Sequence, residues 1–138
     1  MDVFGSGRAL LLSGTAAAAP SPHLWLILTD PDPSGQVLGV MVVSVKSFSD
    51  RTVLLAAGEH PFIRHDSSVD FGSARRLKVS RLAAAAGDGR CRLLSDLAPE
   101  LLRRVRAGLL ASPRTVHHIR DYARARFQDH SDEGQSVL

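Results

Sequence analysis

Two apolar runs of strand length, residues 24–29 (LWLILT) and 36–46 (QVLGVMVVSVK), are separated only by Asp30-Pro31-Asp32-Pro33-Ser34-Gly35. Such a block of turn formers continues neither a helix nor a sheet ladder, because each proline lacks the N–H that either requires. A connection this short joins antiparallel neighbours. A β-hairpin is therefore the element around which the rest of the chain must fold. Further strand-like runs lie at 8–13, at 52–56 (TVLLA, ended by Gly58 and Pro61) and at 75–82 (RRLKVSRL). In the last of these, Leu77 and Val79 alternate with Lys78 and Ser80, the period of a half-exposed strand. Residues 83–90 (AAAAGDGR) read as a flexible connection.

The pattern then changes period. Leu97, Leu101, Val105 and Leu109 recur every four residues, which predicts an amphipathic helix, with Ser95 or Asp96 offered as cap and Pro99 tolerated in the first turn. Ser112-Pro113 ends it and opens a second helix whose apolar stripe is Val116, Ile119, Ala123 and Phe127. His117 and His118 are adjacent and diverge on a helix, so they do not form a chelating pair. The polar stretch from Gln128 reads as a frayed tail. The expected fold class is mainly β with C-terminal helices (α+β). Residues 1–94 would form the β domain, 95–128 a helical segment packed on it and 129–138 a flexible tail.

Only 5% of the 138 residues are aromatic, so the core must be built from Leu, Val, Ile and Ala. No apolar run approaches the roughly 18–20 residues of a bilayer crossing. Asp2 and the interruption Ser13-Gly14-Thr15 depart from a secretion signal, although Ala16-Ala17-Ala18-Ala19 is small and apolar. The single cysteine, Cys91, allows no internal disulfide and suits a reducing cytoplasm. The formal charge of +3 is unevenly spread: residues 1–70 carry four bases against seven acids, residues 71–138 thirteen against seven. The C-terminal half is where a polyanion or an acidic protein would be attracted.

No phosphate-cradling GxxxxGK[ST], no GxGxxG after a strand and no HExxH occurs. The densest polar segment is Gly58-Glu59-His60-Pro61-Phe62-Ile63-Arg64-His65-Asp66-Ser67-Ser68, between two expected strands. Imidazole is the side chain that exchanges a proton near neutrality, and guanidinium offsets anionic charge. These types suit phosphodiester cleavage without metal or other cofactor: a base takes the ribose 2′-OH proton, a cation stabilises the phosphorane and an acid protonates the leaving oxygen. A plain solvated loop, with Phe62 and Ile63 plugging the core, accounts for the same letters. His23 precedes one strand of the hairpin, and Ser44, Lys46 and Ser47 finish the other, so antiparallel pairing makes His23 and Ser47 expected neighbours.

The order HLWLILTDPDPSGQVLGVMVVSVKS, then TVLLAAGEHPFIRHDSSVDFGSARRL, then a leucine-bearing helix resembles the MazF/PemK toxins of bacterial toxin–antitoxin modules, over about residues 8–112. The resemblance implies a small SH3-like β-barrel, a homodimer, cleavage of single-stranded RNA without metal, and silencing by an antitoxin protein. The family's Arg-Pro falls on His23-Leu24, so its catalytic arginine is absent there and His23 or Arg64 is the substitute. The family's strand-end Ser/Thr falls on Ser47, with Ser44 nearby. Its small polar residue before the last strands falls near Ser67-Ser68-Val69-Asp70.

The expected catalytic set is thus His23, Ser47, His60, Arg64 and His65, with RNA contacts at Lys46, Ser67, Arg75, Arg76 and Lys78 and no metal site. A rival expectation is a non-enzymatic module of the same fold, binding protein or nucleic acid through Arg103, Arg104, Arg106, Arg120 and Arg124 on the helices. A structural protein of a phage or mobile element is a third.

Overall fold

A computed structural model describes residues 3–13 and 22–136. The elements run β1 (Ala9–Leu12), β2 (His23–Ile27), β3 (Gln36–Ser44), β4 (Leu54–Leu55), β5 (Ser67–Lys78), α1 (Val79–Gly87), β6 (Cys91–Leu93), α2 (Pro99–Ala111) and α3 (His117–Ser136). All pairings in the six-stranded sheet are antiparallel, in the order β4-β5-β3-β2-β1-β6. The fold is α+β as expected, but the sheet does not close, since β4 and β6 end as unpaired edges. The alanines at 16–19 lie outside the described residues.

The hairpin strands read as near-continuous apolar runs because both faces of the sheet are covered. Leu24, Leu26, Leu28, Leu38, Val40 and Val42 face the larger core with Val69, Phe71 and the α2–α3 residues Leu101, Val105, Leu109, Ile119 and Ala123. Trp25, Ile27 and Val37 face a smaller core with Phe4, Leu10, Leu82, Ala85 and Cys91. Burial pushes the Cys91 thiol above its ordinary value. β3 runs through Gly39 because a Cβ there would meet Leu77 Cδ1 at 2.7 Å and the Trp25 ring at 3.4 Å. Beyond Gly39 the β3–β5 register shifts, and Ser73 fills the irregularity by accepting from Met41 N–H (3.1 Å) and donating to the Asp70 carbonyl (2.6 Å).

The loop from 30 to 35 is held from within and from outside. Asp32 accepts from Ser34 N–H (2.9 Å), Ser34 Oγ (2.6 Å) and Gln36 N–H (3.0 Å), then from Tyr122 Oη of α3 (2.6 Å) and Arg76 Nη2 of β5 (3.3 Å). Arg126 of α3 donates to the Asp30 carbonyl at 3.0 Å. Helix α3 is thereby fastened to the hairpin that organises the sheet.

The structure departs from the sequence reading in several places. The strand expected at 75–82 begins at Ser67 and stops at Lys78, and the supposed connection 83–90 is mostly helix α1. Four consecutive alanines are strong helix formers, and Leu82 and Ala85, three apart, bury on one face. β6 was not expected: three residues with Arg92 exposed carry no periodicity, and it forms by pairing with β1. Helix α2 starts at Pro99 with Ala98 at its cap and no side-chain cap bond, and Asp96, two residues before the cap, pairs with Arg8 (2.9 Å). Residues 113–116 form a turn that leaves Val116 exposed, and α3 continues through the expected tail as far as Ser136.

Candidate functional site

The pairing Leu24↔Val42 carries β2 back past β3 so that His23, the first residue of β2, reaches the end of β3 at Val43 and Ser44. On the other side of β3, Ser44 pairs with Ser67 at the start of β5, and the loop entering β5 brings Arg64 and His65 alongside. Together with Leu24, Val42, Lys46 and Phe62 these residues line a cavity of about 380 Å³. His65 Nε2 lies 2.8 Å from Ser44 Oγ, so the serine orients the imidazole. Ser67 Oγ donates to the His65 carbonyl (2.9 Å) and fixes the backbone that carries the ring. Lys46 and Arg64 make no ion pair among the described residues, and both are exposed.

Of the five expected catalytic residues, His23, Arg64 and His65 therefore share this cavity, while Ser47 and His60 do not line it. Ser47 sits in an exposed turn beyond the end of β3, and Ser44 occupies the position expected of it. The hairpin register sets His23 opposite Val43, beside Ser44 and four residues short of Ser47. His60 is buried, with Nε2 2.6 Å from the Ser95 carbonyl and Nδ1 accepting from Phe62 N–H at 3.0 Å. It is a bridge between the loop and the segment before α2, with neither ring nitrogen left to move a proton. The plugging residue of the loop is Ile63, whereas Phe62 is exposed against the cavity.

Lys46 and Ser67, two of the expected RNA contacts, also line the cavity. Arg75, Arg76 and Lys78 line a second cavity of about 670 Å³, which meets the first at His23. Arg76 is committed elsewhere, to Asp32 and to the face of Tyr122, 4.3 Å from the ring centroid. The helical arginines also have partners, although Arg103 and Arg124 pair only with neighbours on their own helix and stay exposed. Arg103 pairs with Glu100, Arg104 with Glu59 and the Leu54 carbonyl, and Arg106 with Ser6 and the Leu28 carbonyl. Arg120 donates to the Ser112 and Thr115 carbonyls, and Arg124 lies 3.6 Å from Asp121. The Arg104 partnership, with an Ala56 N–H bond, holds the Glu59 carboxyl below its ordinary value.

Among the described residues no group of three or more His, Cys, Asp or Glu is placed to hold a metal ion, and no helix is long and apolar enough to cross a membrane. What the cavity offers is a pair of imidazoles with two cations and small hydroxyls at a mixed apolar and polar wall. Those groups are of the types that exchange protons near neutrality and offset anionic charge.

No protein-family model matches this chain, and no curated protein matches it in sequence. Its fold does match solved structures. One is a chain of the crystal structure of MazE-MazF (form III) from Deinococcus radiodurans, with a TM-score of 0.54 and 18% identity. That match covers 78% of the present chain and 92% of the other. The likeness is one of fold and agrees with the resemblance seen in the sequence.

Proposed function

We propose that the protein is a toxin-like endoribonuclease that cleaves single-stranded RNA at the His23–His65 cavity without a metal ion. The observation that carries this reading is the convergence of His23, His65, Arg64 and Lys46 on one cavity. Three chain segments distant in sequence contribute to it, and the helical arginines do not. In the proposed reaction one imidazole takes the proton of the ribose 2′-OH as that oxygen attacks the adjacent phosphorus. The P–O5′ bond breaks as the other imidazole protonates the departing 5′ oxygen, leaving a 2′,3′-cyclic phosphate. His65, held by Ser44, is assigned the base role, and His23 the acid. Arg64 and Lys46 offset the charge that grows on the phosphorane oxygens. Ser67 shapes the wall and positions the His65 backbone.

The fold likeness to a MazE-MazF structure supports an antitoxin protein as the natural partner and a homodimer as the working form. A cytoplasmic location follows from an RNA substrate. The rival reading, a binding module working through the helices, is disfavoured by the engagement of Arg104, Arg106 and Arg120 with other parts of the fold, which leaves only Arg103 and Arg124 of the five exposed.

Induced expression in a bacterial host tests the reading. Wild type should arrest growth, and His65→Ala, produced at equal soluble level, should not. Normal growth with abundant soluble wild type would count against the toxin assignment.

A further inference from the structure

The second cavity has a construction of its own. Its floor lies on the smaller-core face of the sheet, where the half-buried side chains of Leu12, Met41 and Leu77 remain open above the buried Trp25. Its rim carries Arg75 and Lys78 of β5, Arg81 of α1, and Arg90 just before β6. Among the described residues no carboxylate lines it, and Arg75, Lys78 and Arg81 are in no ion pair. Arg90 is paired with Asp88 at 2.9 Å. Arg75 lies over the Trp25 ring, 5.4 Å from its centroid, which holds the guanidinium above the groove.

An apolar floor beneath a cationic rim matches a chain that presents flat bases on one side and phosphates on the other. His23, at the start of β2, lines both cavities, the first on the Leu24–Val42 face of the sheet and the second on the Trp25–Met41 face, so a strand bound in the first would enter the second by turning around the sheet end at His23. The geometry points to this groove as an exosite that holds the nucleotides flanking the scissile bond of a single-stranded RNA, with Arg75 and Arg81 as principal phosphate contacts. The inference rests on the RNA reading above and extends it. It adds Arg81, which lies on a helix the sequence did not announce, and removes Arg76, which is fastened to Asp32 and Tyr122. Contacts to bases through an apolar floor are sequence-tolerant, so the groove contributes affinity and reach rather than choice of cleavage site.

The test uses the full chain and 2′-O-methylated single-stranded RNAs of about four and about twelve nucleotides, lengths that bracket one binding groove and its extension. Blocking the 2′ oxygen separates binding from cleavage. Wild type should bind the longer probe more tightly. Arg75→Gln with Arg81→Gln should remove most of that length advantage, about tenfold, and make the salt dependence shallower by about 0.7 in log–log slope per cation removed. Arg81→Glu alone, on the exposed face of α1, checks the result in a variant whose folding is least at risk. Retention of the length advantage and of the salt slope by both variants would overturn the exosite. Equal binding of the two blocked probes by a wild type that cleaves unmodified RNA would overturn it while leaving the ribonuclease reading intact. A wild type that binds neither RNA but binds poly-glutamate would overturn both and make the groove a site for acidic peptides.

Discussion

Ser44 Oγ and His65 Nε2 stand 2.8 Å apart although 21 positions separate them in sequence. The pair exists because Ser44 ends β3 opposite Ser67, which places the turn into β5 directly beside the strand end. At an exposed position the bond contributes little to stability, and its effect is on where the imidazole points.

Ser44→Ala should therefore lower the cleavage rate while leaving KM little changed. A net hydrogen bond of about 1 kcal/mol corresponds to a loss of roughly fivefold to tenfold. Ser44→Thr, which keeps the hydroxyl, should restore most of the rate. Equal damage by both substitutions would point to disturbed packing instead of lost orientation of His65.

His60 gives the opposite expectation. Its replacement by alanine leaves the Ser95 carbonyl and the Phe62 N–H without their partner at a buried position. Denaturant unfolding should show a loss of about 1–3 kcal/mol. Cleavage per folded molecule should fall far less than in His65→Ala.

The Asp32–Tyr122 bond sets both pH limits of the α3 attachment. Burial would raise the Asp32 carboxyl, but bonds from Ser34, Tyr122 and Gln36 outweigh it and hold the group well below the usual carboxylate range. Its contribution is complete above the unfolded-state value and is lost as pH falls through the depressed folded value. Tyr122 is pushed up to about 12 from 10.0, by burial first and then by its bond to Asp32. Its contribution is complete below 10.0 and is lost as pH rises through about 12. Unfolding measured across pH should show wild-type stability declining along both limbs. Tyr122→Phe should flatten the alkaline limb and weaken the acid one. Superimposable profiles would mean that the bond does not hold α3 in solution.

Gly108 lets α2 lie directly on β5. A Cβ there would collide with Val53 Cγ2 and meet the Phe71 ring at 2.8 Å, both in the larger core. Gly108→Ala gains helix propensity but must displace buried groups, so a net loss of about 1–3 kcal/mol is expected. Unchanged or raised stability in denaturant unfolding would show that Val53 and Phe71 repack freely.

The hairpin was legible because a dense turn block lies between two runs apolar on both faces, a pattern that few other elements produce. β6 and α1 were not: the first is three residues stabilised by its neighbour, and the second begins inside Val79-Ser80-Arg81-Leu82, which alternates as a strand does. In the site, residue type was legible and direction was not. His60 and His65 look alike in a string of loop letters, yet the turn at Pro61-Phe62 sends the first ring inward to Ser95 and leaves the second beside Ser44. The sequence favours Ser47 over Ser44 because its strand-like run continues through Val45-Lys46, two residues past the end of β3, and in an antiparallel pair a shift at the strand end changes which side chains meet.

The most direct test of the central claim is cleavage of a defined single-stranded RNA by purified wild type, His23→Ala and His65→Ala in excess chelator, with the product ends identified by mass spectrometry. Cleavage by wild type to 2′,3′-cyclic phosphate ends, reduced roughly 10²–10⁴-fold in each variant, is the predicted result. A wild type that leaves RNA intact, or variants that cut as fast as wild type, would contradict it.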